Sequence, residues 1–322
     1  MNVYIKAFNR PFYLDRCLTS LARLASGVDA TIVLDDGTEE RFKSELRARH
    51  PSARWIESNA DDGKMALLRM GAFEEIRRRY DDPARLWARA LAAETAPRFV
   101  LLEEDTWLVR PLDFGVLDRV MAKLAVGFAR LHWHLLTTQG ERVVHQEVIG
   151  PDLTLDLVAG EPRRDPATGG IEEVDLYRLW QPALAAYRTD YFRHVFADVQ
   201  HYADEAAQLR RAMDWIRGAL ERGPVRFARL GQPILFHGWA VPGRSDDAYY
   251  REGLPQHVYM DCLNEAWLAG GFDAMASFPD DFATADLLRF FGARLGEAPA
   301  QTWQRWRVEY VERQAFPYRW FH

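Results

Sequence analysis

The chain has 322 residues, 48% of them apolar and 27% charged, a globular balance that excludes a disordered or fibrous polymer. Forty-seven acidic side chains against 41 basic ones leave a net charge of −6, which argues against a broad electrostatic surface for nucleic acid. Two cysteines, Cys17 and Cys262, are too few for a disulfide framework or a four-thiolate zinc site, and a reducing, cytoplasmic setting suits them. The first ten residues carry no apolar stretch of the secretory-signal kind, and no run approaches the roughly 18 apolar residues that would span a bilayer as a helix.

Val3 to Phe8 predicts a first strand. Pro11 opens a helix with Leu14, Cys17, Leu18, Leu21 and Leu24 near the 3.6-residue period, ended at Gly27. Ala30 to Leu34 predicts a second strand, stopped by Asp35-Asp36-Gly37, with Thr38 as cap of the next helix. Arg54 to Glu57 predicts a third strand and Lys64 to Tyr80 a single helix. A fourth strand, Arg98 to Leu102, runs straight into Glu103-Glu104-Asp105. Further on, Ala125 to His134 reads as a strand, 140–170 as loop, Leu184 to Arg188 as a short strand, Tyr191 to Glu221 as mostly helix and Arg226 to His237 as one strand. Three helices follow, near 256–270, 283–295 and 300–313. Strand–helix alternation at this spacing predicts a mostly parallel sheet with helices on both faces. Right-handed crossovers then bring the strands' carboxyl ends to one edge, where open α/β sheets bind ligands.

Both acidic clusters stand on that edge. Glu103 and Asp105, at i and i+2, point the same way in extended chain, which suits a hard cation such as Mg²⁺ or Mn²⁺; a solvated charge run is the alternative. Asp35 and Asp36 can accept hydrogen bonds from a ribose or base, or simply form an Asp-Gly turn. Arg10, beside Asn9, can approach a phosphate, and Gly63-Lys64 offers backbone N–H groups and a positive charge at a helix start. His237 ends an apolar run; imidazole suits Mn²⁺, although a lone histidine after a strand is more often packed. His132 and His134 share a face but lack a third zinc ligand. Trp180 reads first as a core residue, with a sugar-site floor beside Gln181-Pro182 as the alternative, and Asp204-Glu205 could equally complement a helix N-terminus. The C-terminal aromatics Trp303, Trp306, Tyr310, Phe316, Tyr318, Trp320 and Phe321 read as a packed helix face, with a sugar-stacking surface, an oligomer contact or a membrane anchor as alternatives.

The series Val3–Phe8, Asn9-Arg10-Pro11 with Leu14, Ile32–Thr38, Gly63-Lys64 and Phe99–Asp105 resembles the GT-A-fold glycosyltransferases, especially the family 2 nucleotide-diphospho-sugar transferases, over about residues 1–115. The resemblance implies a Rossmann-like α/β catalytic domain over 1–240, with a nucleotide-sugar-binding half (1–115) and an acceptor-side half (116–240). A helical, aromatic-rich extension over 241–322 completes the chain. It implies a metal-dependent glycosyltransferase that moves a hexosyl group from a UDP-sugar, with Mn²⁺ or Mg²⁺, to a carbohydrate, lipid-linked or peptide hydroxyl. Asp35 or Asp36 would contact the nucleoside; Phe8, Asn9, Arg10, Gly63, Lys64 and Glu104 would surround the donor. Glu103, Asp105 and His237 would hold the ion, and Asp204 or Glu205 would serve as general base. Two departures stand out: the acidic motif is Glu-Glu-Asp rather than Asp-x-Asp, and the loop at Gly63 lacks the family's fuller Gly-rich, Arg-Asn pattern. A nucleotidyltransferase on a related sheet, an inactive nucleotide or sugar binder and a scaffold are the alternatives. The expected setting is cytoplasmic or peripheral to the inner face of a membrane, with the aromatic C-terminus making either that contact or a homodimer.

Overall fold

The computed structural model describes residues 1–132, 141–159, 178–199, 204–218, 226–241 and 255–314. Its strands are β1 (Asn2–Ala7), β2 (Ala25–Ser26), β3 (Ala30–Asp35), β4 (Arg54–Glu57), β5 (Arg98–Glu103), β6 (Thr106–Leu108), β7 (Leu112–Asp113) and β8 (Val126–Arg130). They continue with β9 (Val143–Gly150), β10 (Leu153–Val158), β11 (Ala185–Arg188), β12 (Arg226–Leu230) and β13 (Leu235–His237). Helices α1 to α6 are Pro11–Leu24, Glu40–Arg49, Asp62–Arg69, Phe73–Arg79, Pro83–Ala92 and Phe114–Lys123. Helices α7 to α11 are Thr189–Val195, Glu205–Arg217, Gln256–Leu268, Thr284–Leu295 and Glu297–Gln314.

Nine strands make one mixed sheet in the order β4-β3-β1-β5-β11-β8-β12-β10-β9. The β4-β3-β1-β5 half is parallel, as the βαβ spacing dictates. β11 runs antiparallel to both β5 and β8, so β8 points the same way as β5. Alternation along each strand feeds two cores. Val3, Ile5 and Ala7 of β1 join one with α1, while Tyr4 joins the other with α5, α7 and α8. Trp267, Phe291 and Trp303 of the C-terminal helices belong to the first core, so these helices close the same body that the sheet begins. The α/β architecture with helices at the C-terminus is thus the one observed.

Several elements depart from expectation. The helix expected over Lys64 to Tyr80 is two, α3 and α4, broken where Gly71 takes φ 68°. Helix α5 was not anticipated; Asp82 caps it through the Ala84 N–H and Pro83 begins it. Thr38 does not cap α2, because its hydroxyl accepts the Asn9 N–H at 3.0 Å and Glu39 stands at the cap position without a side-chain bond. The stretch read as loop over 140–170 contains the β9–β10 hairpin. Edge strand β9 leaves Val144 and Val148 52% and 73% exposed, so burial imposes no clean alternation for a pattern search to find. The strand expected over Arg226 to His237 is split: β12 stays in the large sheet, and β13 leaves it to pair with β6.

Candidate functional site

The parallel registers Ala7↔Asp35 and Lys6↔Glu103 set the ends of β1, β3 and β5 level, so the acidic segments converge with the loop 8–10. Asn9 holds that loop. It sits in the left-handed region at φ 47°, which its short polar side chain tolerates, and it is fully buried. Its Oδ1 accepts the Glu39 N–H at 3.1 Å, while its carbonyl accepts from Asn264 Nδ2 at 2.8 Å, tying the loop to α9.

The two aspartates after β3 do different work. Asp35 accepts the Thr38 N–H at 3.1 Å and faces Lys43 at 3.7 Å; burial raises its carboxyl to about 6 against these two influences. Asp36 is paired with Lys64, and burial outweighs that cation to raise its carboxyl too. Lys64 Nζ also donates to the Asp36 carbonyl at 3.1 Å and lies 4.8 Å from the Phe8 ring centre. The Gly63 N–H is engaged by the capping carboxylate of Asp61 at 3.0 Å. A Cβ at Gly63 would stand 2.9 Å from both the Asp61 carboxylate and the Tyr80 hydroxyl, so a larger residue would have to displace these two side-chain ends.

Further along the edge, Glu103, Asp105 and His237 place one ligand atom each within 4.8 Å of one another. Glu103 and Asp105 follow from β5. His237 arrives through a separate device: β13 pairs with β6 in the register His237↔Thr106, and the Gly238 N–H donates to the Asp105 carbonyl at 2.7 Å. Gly238 is required there, since a Cβ would meet Tyr13 Cε1 at 2.4 Å and Trp107 at 2.8 Å. The next residues are held by the C-terminal helices. Trp303 Nε1 donates to the Ala240 carbonyl at 2.7 Å, Arg307 Nη1 donates to the Trp239 carbonyl at 2.6 Å, and the Ala240 N–H donates to the Tyr13 hydroxyl at 2.5 Å.

Two cations balance the acids. Arg10 donates from Nε to Glu104 at 2.7 Å and from Nη1 to Asp105 Oδ2 at 2.6 Å, and Lys6 lies 2.7 Å from Glu103. Burial opposes ionisation of Asp105, but Arg10 and His237 outweigh it and hold the carboxyl below its usual range. Burial raises the Glu104 carboxyl, with the Asp105 charge adding and Arg10 opposing. Arg10 uses only Oδ2 of Asp105. Asp105 Oδ1 and His237 Nδ1 are buried and have no hydrogen-bond partner among the described residues. Such atoms are costly unless something satisfies them, and a carboxylate–imidazole set of hard and borderline donors fits a divalent ion.

Asp204 caps its own helix α8, accepting the Ala207 N–H, and Glu205 begins that helix, which packs in the second core rather than the first. Trp180 is also core: it is 1% exposed and donates to Gln208 at 2.7 Å. Trp303 is fully buried and Trp306 packs against the first core, whereas the aromatic side chains of Tyr310, Phe316, Tyr318, Trp320 and Phe321 lie outside the described residues, as does His134. Sequence reasoning missed Lys6, Tyr13, Asn264 and Arg307; each meets its partner across a long stretch of chain, where no local pattern marks it. Among the described residues no helix is long and apolar enough to cross a membrane.

No protein-family model and no curated protein matches the chain. Solved structures similar to it are GT-A glycosyltransferases. One is the Mycobacterium tuberculosis glucosyl-3-phosphoglycerate synthase in complex with Mn²⁺, UDP and phosphoglyceric acid, at 17% identity and a TM-score of 0.39, covering 67% of this chain and 63% of that one. Another is S. aureus TarS, at 12% identity and a TM-score of 0.41, covering 92% of this chain and 43% of that one. The chain therefore spans less than two thirds of the length of either.

Proposed function

We propose that the protein is a metal-dependent glycosyltransferase that uses a nucleotide-diphospho-sugar, with a UDP-sugar as the donor. The observation that carries this reading is the Glu103–Asp105–His237 cluster, with His237 Nε2 3.5 Å from Asp105 Oδ2 and Asp105 Oδ1 buried and unpartnered among the described residues, at the carboxyl edge of a parallel sheet. Glu103, Asp105 and His237 would hold Mn²⁺ or Mg²⁺, which when bound supplies charge neutralisation for a departing diphosphate. Arg10 and Lys64, which here pair with Glu104 and Asp105 and with Asp36, would turn to the donor phosphates, and Asp35 or Asp36 would accept from the nucleoside.

In the transfer, the bond from the sugar's anomeric carbon to the acceptor oxygen forms as its bond to the diphosphate oxygen breaks. The diphosphate leaves with the electron pair, and the acceptor proton passes to a base. Asp204 and Glu205 remain the proposed base only if α8's start faces the acceptor; a retaining transfer needs no dedicated base.

The test is a thermal-shift screen of UDP-, GDP-, CMP- and dTDP-sugars with and without Mn²⁺. The expected result is a metal-dependent rise with the UDP-sugar, near 2.7 kcal/mol at about 100 times its Kd, that is lost in Asp105→Ala. A folded protein that no donor stabilises refutes the reading. A donor that binds yet is never hydrolysed or transferred identifies an inactive binder.

A further inference from the structure

β9 is the last strand of the nine-stranded sheet, with β10 on one side and, among the described residues, no strand on the other. At eight residues it is longer than the usual strand of about five or six. An edge of this kind offers a row of backbone N–H and C=O groups, which proteins ordinarily blunt with proline or lysine. Val143–Gly150 contains neither. Val148, at 73%, is the most exposed large apolar side chain among the described residues, and Val144, at 52%, lies on the same strand.

β10 fixes which β9 groups face outward. The Gly231 N–H, just past β12, donates to the Thr154 carbonyl at 2.8 Å, and the Ala159 N–H donates to the Arg142 carbonyl at 3.0 Å. Successive residues of an antiparallel strand bond alternately to the neighbours on either side, so Thr154 and Asp156 bond toward β12, and Leu155, Leu157 and Ala159 toward β9. In the register Thr154↔Val148 and Asp156↔Gln146, the backbone N–H and C=O of Gln146 and Val148 therefore point away from the sheet. Val144 falls at a register shift, opposite no residue of β10.

A second β9 laid antiparallel on this edge must set outward-pointing residues opposite one another, so its two-fold axis passes through a residue rather than between two. Within the regular run 145–148, an axis at Glu147 sets that carboxylate against its own copy, an axis at His145 sets imidazole against imidazole, and an axis at Val148 leaves Glu147 opposite Ile149. An axis at Gln146 is self-complementary. Each His145 imidazole then faces the Glu147 carboxylate of the other copy, each Val148 faces Val144, and the two Gln146 residues exchange both backbone bonds. Within its own chain Glu147 is held by Lys123 at 2.7 Å and more loosely by His145 at 3.4 Å, so the long His145 contact is the one exchanged.

We propose that β9 is a dimerisation edge whose occupant is the β9 of a second copy of this chain, antiparallel, with the two-fold axis at Gln146, joining the two large sheets into one. Five strand spacings of about 4.8 Å put β9 roughly 24 Å from β5, so the pairing leaves the Asp105 edge of each copy open. The inference does not depend on the transferase reading.

The experiment is sedimentation equilibrium on the full chain at low and high micromolar concentration. The expected mass is that of two chains. Val148→Lys puts a charge where two valines meet, and Val148→Pro removes an outward N–H that β10 does not use; each is expected to weaken the dimer at least tenfold while the exposed site lets the variant fold. Cysteine cross-linking under air oxidation, with wild type as control for Cys17 and Cys262, reads the register. Gln146→Cys should form a disulfide dimer, because hydrogen-bonded partners lie about 5.5 Å apart at Cα. Glu147→Cys, offset by two residues and roughly 8 Å from its copy, should not. A wild-type chain that stays monomeric at high micromolar concentration overturns the proposal. A dimer that survives both Val148 variants also overturns it and puts the interface elsewhere, such as the C-terminal aromatic helix. Equal cross-linking of the two cysteine variants refutes the Gln146 axis.

Discussion

Replacing Arg10 by Met removes the cation that Glu104 and Asp105 share. Both carboxylates are 3% exposed, and Arg10 meets them at 2.7 and 2.6 Å. Breaking a buried pair by deleting one partner costs about 3–5 kcal/mol, because the surviving charge stays desolvated. At roughly 2 °C per kcal/mol for a chain of this size, the melting temperature should fall by about 6–10 °C near pH 7.5. The sign of the pH dependence follows from the same residues. Burial raises the Glu104 carboxyl above its unfolded value, and loss of Arg10 raises it further. A raised acid gives stability at low pH that is lost as pH climbs, so the variant should recover toward pH 5.5 relative to wild type. Mn²⁺ should also restore the variant, by about 2.7 kcal/mol at 100 times its Kd, since it supplies the missing positive charge. Urea unfolding with and without Mn²⁺ at the two pH values measures all three effects. A loss under about 1 kcal/mol, or a variant that Mn²⁺ does not stabilise, would refute the reasoning that this is one charge-balanced site.

His237→Ala should weaken Mn²⁺ binding at least tenfold and Mg²⁺ binding less, as calorimetric titration of each ion would report, because imidazole favours the softer metal. Gly238→Ala drives a Cβ to within 2.4 Å of Tyr13; we expect about 1–3 kcal/mol of destabilisation by urea unfolding, together with weaker Mn²⁺ binding as His237 shifts. Asp35→Asn removes a carboxylate that burial has raised to about 6, so the unfolding free energy of the variant relative to wild type should improve by about 1–2 kcal/mol between pH 5 and 7.5. A flat difference across that range would show that the Asp35 charge carries no cost.

The parallel half of the sheet was legible because βαβ units write themselves locally. Apolar runs of strand length, helices at the 3.6-residue period and acids directly after a strand fix β1, β3, β4 and β5 and the edge that they share. Glu103 and Asp105 were readable for that reason, and Arg10 by its place after β1. Other features required the folded chain. Edge strand β9 escaped because its faces are only partly buried, leaving weak periodicity, whereas helix α5, with Ala84, Leu86, Ala90 and Leu91 buried, carried a readable apolar face and an Asp82-Pro83 start that the reading passed over. The route by which His237 reaches Asp105 is tertiary: β13 leaves the large sheet for β6, and Trp303 and Arg307 fix the backbone that follows. Which acids are paired is likewise decided by distance between segments, as with Arg10 on Glu104 and Asp105, and Lys64 on Asp36. Local periodicity determines elements; electrostatic pairing depends on contacts between residues far apart in sequence, and only the packed sheet brings those together.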